Sequence, residues 1–471
     1  MADQAIQACS EIEPDRFSTL PDELIHHILS FLNIDDILRA TCLSKRWRDL
    51  CLLNSSITID SSLIRQSGID PSDITKSLYL FLFRRGYVKI TSLCMVWSSF
   101  YLSYRAVIYL LYSFACEVEE IKLRLMENTD IYSLPRELYR CQSLRSLSLD
   151  LGYGSVKFPS TFTFTNLEHL HLKDMKIHDG FGEWISTCRT IKKLYLEETY
   201  GMENINIESS SLELFELIND SNSRLVNISV SGDRIESLSV QWNFNSSTGK
   251  LLRFRTPNLK YFRWSGNFVS QITMQNLLHL ESAVLSLIPA KEYTSPISCN
   301  LLGSVESTKT LHIDGETIMD LYEHGCLTRP SYDVQNLFIH VNEDEDLNVT
   351  FFPPAIVSLL TGVHNLKTLC IQGENSDNKR SLLPFEGCGL DTRYWESQNL
   401  PCFDELEKVK LAVFNGGNEL ELGKYLLKHA KYLKEMIIFH FASLPSHVNE
   451  RLNQFKLASD QMASIVVFKT K

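Results

Sequence analysis

The chain is 471 residues long with a formal charge of −11; 44% of its residues are hydrophobic and 10% are aromatic. At roughly 100–200 residues per domain, this is about three domains, or one small domain followed by an extended repeat array. Ordinary apolar content excludes a disordered chain, collagen or a coiled coil, and the acidic balance argues against a nucleic-acid partner.

The first residues, MADQAIQACSEIEPDRF, lack a basic stretch followed by an apolar one. A secretory signal is therefore not expected, and residues 1–14 read as a flexible lead. The twelve cysteines offer no pair at zinc-knuckle spacing. In a chain that is not secreted they read as free thiols, most of them packed as small hydrophobes.

Residues 15–60 predict three short helices. Pro21 suits a first helical position, and Asp22 and Glu23 complement the positive end of the helix. Leu24, Ile28 and Phe31 form one apolar stripe, and Ile25, Leu29 and Leu32 form another. Such a helix has more to bury than one neighbouring helix can cover. Asn33 reads as the cap of the second helix, with Ile34, Ile37, Leu38 and Cys42 on its inner face, and Ser44 reads as the cap of a third that carries Trp47, Leu50 and Cys51. Three helices of this size cannot build a sufficient core alone, so the surplus implies a partner. Ten acids face five bases in residues 1–60, and four of those bases (Arg39, Lys45, Arg46, Arg48) lie in helices two and three.

The run LPDELIHHILSFLNIDDILRATCLSKRWRDL closely resembles the F-box, the module by which substrate receptors attach to the adaptor of Skp–cullin–F-box ubiquitin ligases. The resemblance rests on Leu20-Pro21, on Ile28 to Leu32, and on Leu43 to Trp47. It implies that Leu20, Pro21, Leu24, Ile28, Leu29, Leu32, Leu43 and Trp47 contact a Skp-type adaptor or hold the contacting helices together. A cullin and a RING subunit would be reached through that adaptor. The residues alone do not divide the two roles.

The stretch 90–116 carries one charge, Arg105, near its middle among several Ser and Tyr. A strand at 90–96 and a helix at about 100–116 fit it better than a membrane span. From residue 115 the phrase apolar-x-x-apolar-x-apolar recurs. Copies begin at 144, 167, 191, 212, 235 and 259, with later ones around Leu311, Leu337 and Leu369 and a weaker one at Val118. A period of 21–24 residues lies in the leucine-rich-repeat range: each copy is a short strand whose last two apolar residues face one side, and stacking buries them. This is an α/β fold class, a small three-helix module followed by a solenoid with one curved parallel sheet over 61–400; a β-sandwich is the alternative. The Asn or Cys usual behind such strands is mostly absent, and Met175 and Ile177 stand there instead. Phrases such as RLVNISVSG line the outer side. The pattern resembles the degenerate repeats of plant F-box proteins. Residues 401–471 open on a strand at Leu406, Val409 and Leu411, a Gly416-Gly417 turn, a helix at about 419–431 with Leu422, Leu426 and Leu427 on one stripe, and a strand at Met436 and Ile438. This resembles the FBD module that ends many plant F-box/leucine-rich-repeat proteins.

In the solenoid, residues between the inward leucines face outward on the concave side. His169, His171, Tyr195, Tyr261, Arg263, His312, Phe338 and His340 are the candidate substrate-binding residues, with a solvated sheet face as the plain alternative. His169 and His171 share a strand face but lack further ligands, so no metal and no cofactor are expected. No phosphate-cradle or hydrolase motif occurs, and the acidic run at 342–348 reads as a solvated loop. The resemblance implies a non-catalytic substrate-recognition subunit in nucleus or cytoplasm, binding an unknown protein substrate, with no membrane. The alternatives are an adaptor-bound scaffold and a small-ligand receptor.

Overall fold

The computed structural model describes residues 19–60, 80–86, 88–98, 118–126, 131–132, 134, 136–159, 163–219, 224–245, 249–267, 269–274, 277, 279–288, 297–328, 333–341, 353–373, 392–398, 400, 403–413, 418–440, 450, 452, 455 and 464–469. The proposed helix at 100–116, the acidic run at 342–348 and the Gly416-Gly417 turn lie outside them. Two compact units emerge: residues 1–157 with 162–175, and residues 158–161 with 176–471.

The first unit opens with α1 (Asp22–Ser30), α2 (Ile34–Ala40) and α3 (Lys45–Leu53). Ser44 caps α3 as its sequence predicts, its hydroxyl accepting from Trp47 N–H at 3.1 Å. Asn33 stands at the start of α2 but makes no side-chain cap. Its amide instead clamps the chain behind α3: Oδ1 accepts from Asp60 N–H at 2.9 Å, and Nδ2 donates to Asp60 O and to Asp35 Oδ1. Cys42 is exposed rather than inward, because α2 ends at Ala40 and Cys42 falls in the following turn.

Directly after α3, Ser56–Asp60 is the first strand of a parallel sheet, inside the stretch read from sequence as helical module. Ser92–Ser98, Glu120–Met126, Ser146–Asp150 and His169–Lys173 follow beside it in chain order. The register aligns Ile57, Leu93, Ile121, Leu147 and Leu170 in one column, and Ile59, Met95, Leu123, Leu149 and Leu172 in the next. All ten are buried, so period-2 alternation puts every repeat's leucines into one core.

The second unit repeats this plan with eleven parallel strands in chain order. They are Lys193–Glu197, Leu214–Asn219, Ser237–Trp242, Tyr261–Asn267, Ser282–Ile288, Thr310–Asp314, Asn336–Val341, Thr368–Gly373, Lys408–Val413, Glu435–His440 and Ser464–Lys469. Leu196, Leu217, Val240, Trp264, Leu285, Ile313, Ile339, Ile371, Leu411 and Ile438 form a continuous buried column. The expected strands at 406–411 and 436–438 and the helix Asn418–His429 are present, with Leu422 and Leu426 buried and Leu427 half-buried. Thus the α/β fold class holds: helices open the first unit, and parallel strands follow in both units.

The layer behind these strands changes along the second unit. Asn204–Glu208, Asn227–Ser231, Leu251–Arg255 and Gln271–Met274 form a second parallel sheet, as the extra phrases led one to expect. Its Phe254 meets Phe262 of the main sheet at 6.2 Å between ring centres. Elsewhere the return segments are helices, such as Gly315–Glu323 and Pro353–Thr361. Strand-backed repeats keep the short period, and the return from Asn336–Val341 to Thr368–Gly373, which contains Pro353–Thr361, is longer. Asn219, Asn243 and Asn267 keep a fragment of the missing asparagine ladder: Asn243 N–H donates to Asn219 O at 3.0 Å, and Asn267 Oδ1 accepts from Phe244 N–H at 2.8 Å. Gly266 sits at φ +125°, where a Cβ would meet Trp242 O at 2.2 Å.

The thiol expectation needs one further correction. Cys51, Cys141, Cys188 and Cys370 are free and buried, and Cys94 is free and half-buried, but Cys326 is disulfide-bonded. Burial pushes the Cys51 thiol up to about 11, so it behaves as a small hydrophobe.

Candidate docking and recognition surfaces

The helical module sorts its two apolar stripes by burial. Ile25 and Leu29 of α1 meet Ile34, Ile37, Trp47, Leu50 and Cys51 in its core, all buried. The other stripe is left in solvent: Leu24 is 50% exposed, Ile28 38%, Phe31 73% and Leu43 68%. Leu20 and Leu32 are half-buried, and Pro21 is exposed. Of the eight residues expected to serve adaptor contact or module packing, Leu29 and Trp47 therefore fill the interior. Leu24, Ile28, Leu43 and Pro21 are accessible, and Phe31 joins them although the resemblance alone did not single it out. Its place on the outer stripe was the available signal.

The basic patch of α2 and α3 is largely spent inside the module. Arg46 donates to Leu20 O and to Asp22 Oδ1, tying α3 to the start of α1. Arg39 faces Asp35 and Asp36 at 3.6 and 3.2 Å. Among the exposed residues of the module stand five large apolar side chains, Leu24, Ile28, Phe31, Leu43 and Leu53, and large apolar side chains in water mark candidate contact surfaces.

On the sheets, most outward positions are polar. In the first unit His171 Nδ1 meets Ser148 Oγ at 3.3 Å, and Arg124 Nε donates to Asp150 at 2.7 Å. His169 and His171 are both half-buried on one strand. Among the described residues no three His, Cys, Asp or Glu side chains gather as a metal site requires.

In the second unit the register draws Tyr195, Glu216, Ser239, Arg263, Val284, His312, Phe338, Cys370 and Lys410 into one outward column. Tyr195 lies beside Glu216, and burial, followed by that carboxylate, raises its phenol. Tyr261 lies two residues before Arg263 on the same strand, half-buried, while Arg263 is exposed. His312, Phe338 and His340 are brought into contact. The His312 and Phe338 rings stack at 4.4 Å and 5°, and His312 Nδ1 lies 3.3 Å from His340 Nε2. The cluster extends to two further residues: Gln372 Nε2 meets His340 Nδ1 at 3.3 Å, and Cys370 Sγ donates to Gln372 Oε1 at 3.5 Å. Burial, then His340, lowers the His312 imidazole below its ordinary range. Among the described residues no helix is long and apolar enough to cross a membrane.

Comparison with known proteins bears on both surfaces. Residues 17–57 match the F-box-like family model, and residues 110–232 match the model of the leucine-rich repeats of FBD-associated F-box protein At5g56370. Across 96% of its length the chain is 24% identical to the putative F-box/FBD/LRR-repeat protein At4g03220 of Arabidopsis thaliana, covering 94% of that protein. It is 25% identical to the F-box/FBD/LRR-repeat protein At1g78750 of the same plant, over 93% of this chain and 92% of that one. The F-box/LRR-repeat protein At3g62440, also of Arabidopsis thaliana, is 26% identical over 76% of this chain and 79% of its own length. The resemblance to plant F-box/FBD/leucine-rich-repeat proteins stands: the F-box-like match lies over α1–α3, and the leucine-rich-repeat match spans the parallel strands from Glu120–Met126 to Leu214–Asn219.

Proposed function

We propose that this F-box protein is the substrate-recognition subunit of a Skp–cullin–F-box ubiquitin ligase. The observation that carries the reading is the division of α1 into a buried stripe, Ile25 and Leu29, and an exposed stripe, Leu24, Ile28 and Phe31, with Leu43 exposed nearby in sequence order. Packing inside the module is complete without the exposed set, so a Skp-type adaptor is its natural cover. Burying an aliphatic or aromatic side chain of that size stabilises a complex by about 1.5–3 kcal/mol. The outward faces of the parallel strands, mostly polar, take the target. In this role the chain needs no catalytic group of its own. It holds a target near an activated ubiquitin carrier, and proximity converts an encounter into an effectively unimolecular step. It would act in the nucleus or cytoplasm, where cullin complexes work.

The test is co-purification from plant extract with wild type and with Ile28→Asp/Leu43→Asp. Both positions are exposed, so the variant should keep its melting temperature within about 2 °C while losing adaptor and cullin together. Adaptor without cullin in the wild-type eluate would instead indicate a scaffold and overturn the ligase reading.

A further inference from the structure

The second unit's outward face carries charge in an uneven way. Arg263 is exposed and Lys410 half-exposed, and neither has an ion-pair partner among the described residues. Between them along the middle column stand Val284, His312, Phe338 and Cys370, with no carboxylate. The nearest acid in that column, Glu216, lies two strands beyond Arg263. In the flanking columns Asp314 is buried and its carboxylate accepts from Thr317 N–H at 2.7 Å, and Glu435 lies 3.4 Å from Lys408. A cationic row therefore crosses part of a chain whose net charge is −11.

The hydrogen bonds inside the row have a direction. The Cys370 thiol donates to Gln372 Oε1, which turns Gln372 Nε2–H toward His340 Nδ1. An amide N–H only donates, so Nδ1 accepts and neutral His340 carries its proton on Nε2. That proton is directed at His312 Nδ1, so His312 carries its own on Nε2. The relay ends at an N–H donor with no partner among the described residues, held flat by the Phe338 ring at 4.4 Å. Two cations, one aimed donor and an apolar ring, with no carboxylate in the column between the cations, select for acceptors and negative charge.

We infer that the row from Arg263 to Lys410 is a docking strip for an acidic, aromatic-bearing peptide segment of a partner protein. Carboxylates would meet Arg263 and Lys410, an acceptor would meet His312, and an aromatic side chain would lie over Phe338. Five strand steps of about 4.8 Å make the strip roughly 24 Å long, which an extended segment of about seven residues spans. The proposal rests on the receptor reading in treating this segment as part of the target.

The experiment is selection from a random octapeptide library on the full-length chain, compared with Arg263→Glu/Lys410→Glu and with Phe338→Ala. All three proteins are assayed in parallel for adaptor capture. Wild type should enrich Asp, Glu and aromatic residues, and enriched peptides should weaken at least about 10-fold in 0.5 M salt. The charge-reversed variant should lose the acidic enrichment, and Phe338→Ala should lose the aromatic preference with acidic enrichment kept. A wild-type pool without acidic enrichment, or the same pool on the charge-reversed variant, overturns the strip. Adaptor capture without acidic selection sinks this inference and leaves the receptor reading standing. Acidic selection without adaptor capture does the reverse.

Discussion

The helical module and the strands of the second unit spend their hydrophobicity in opposite ways. In α1 one of two apolar stripes stays in water, with Phe31 73% exposed. Along the main sheet of the second unit alternation sends Phe262, Trp264, Leu285 and Ile339 inward, and most outward positions, such as Glu216, Ser239, Arg263 and His312, are polar or charged. The difference separates two kinds of attachment. A helix with surplus apolar surface is incomplete by itself and suits a constant partner, because burial rewards contact without asking much about sequence. A sheet whose core is already satisfied offers hydrogen bonds and charge, which discriminate between partners more than they add affinity.

That contrast is open to direct attack. The largest effect should come from Trp264→Ala. Its indole is fully buried between neighbouring repeats, and truncation should cost about 3–5 kcal/mol in urea unfolding. The indole N–H has no partner, so its loss does not add a broken hydrogen bond. Leu43→Ala, equally apolar but exposed, should change stability by no more than about 0.5 kcal/mol. Comparable losses from the two would mean that the exposed stripe is structural after all. Next in size, Ser44→Ala should cost the module about 1 kcal/mol through loss of the α3 cap, read as faster amide exchange confined to residues 45–53.

The smallest effect is a dependence on pH. In the folded chain the His312 imidazole is depressed by burial and by His340. The unfolded chain then binds more protons at mildly acid pH, so stability rises with pH there. This contribution is complete above the ordinary histidine range near pH 6.5 and is lost as pH falls through the lowered folded value. Protonation also puts an N–H on His312 Nδ1 facing the N–H of His340, which breaks the relay. His312→Gln should flatten the slope of unfolding free energy against pH between 5 and 7. An unchanged slope would place the titrating group elsewhere.

Much of the sheet could be read in advance because repeat spacing and alternation are local signals. Leu144, Leu147 and Leu149 announce a strand to anyone counting residues. Two strands escaped that reading for plain reasons. Ser56–Asp60 has Asn54 where the phrase opens on an apolar residue, and Ser282–Ile288 carries Ala283 where its neighbours carry Phe262 and Leu311. The choice between the two stripes of α1 was not local: periodicity shows both, and only docking of α3 decides that Leu29 is covered and Ile28 is not. The His312–His340–Gln372 relay was invisible for another reason. Its members come from strands 28 and 32 residues apart, in the part of the chain where helix-backed repeats abandon the regular period. The single outward residues were legible, and their partners across the sheet were not.

The amide of Asn33 has a consequence for assembly. By grasping Asp60 from the start of α2, it leaves the module no swivel against the first strand of its own sheet. Rotational freedom that a tethered module would surrender each time a complex forms is surrendered once, during folding. Whatever the first unit's sheet holds is thus presented at a fixed bearing to anything that covers the exposed stripe of α1, and its local concentration there is set by geometry rather than by the wandering of a tether.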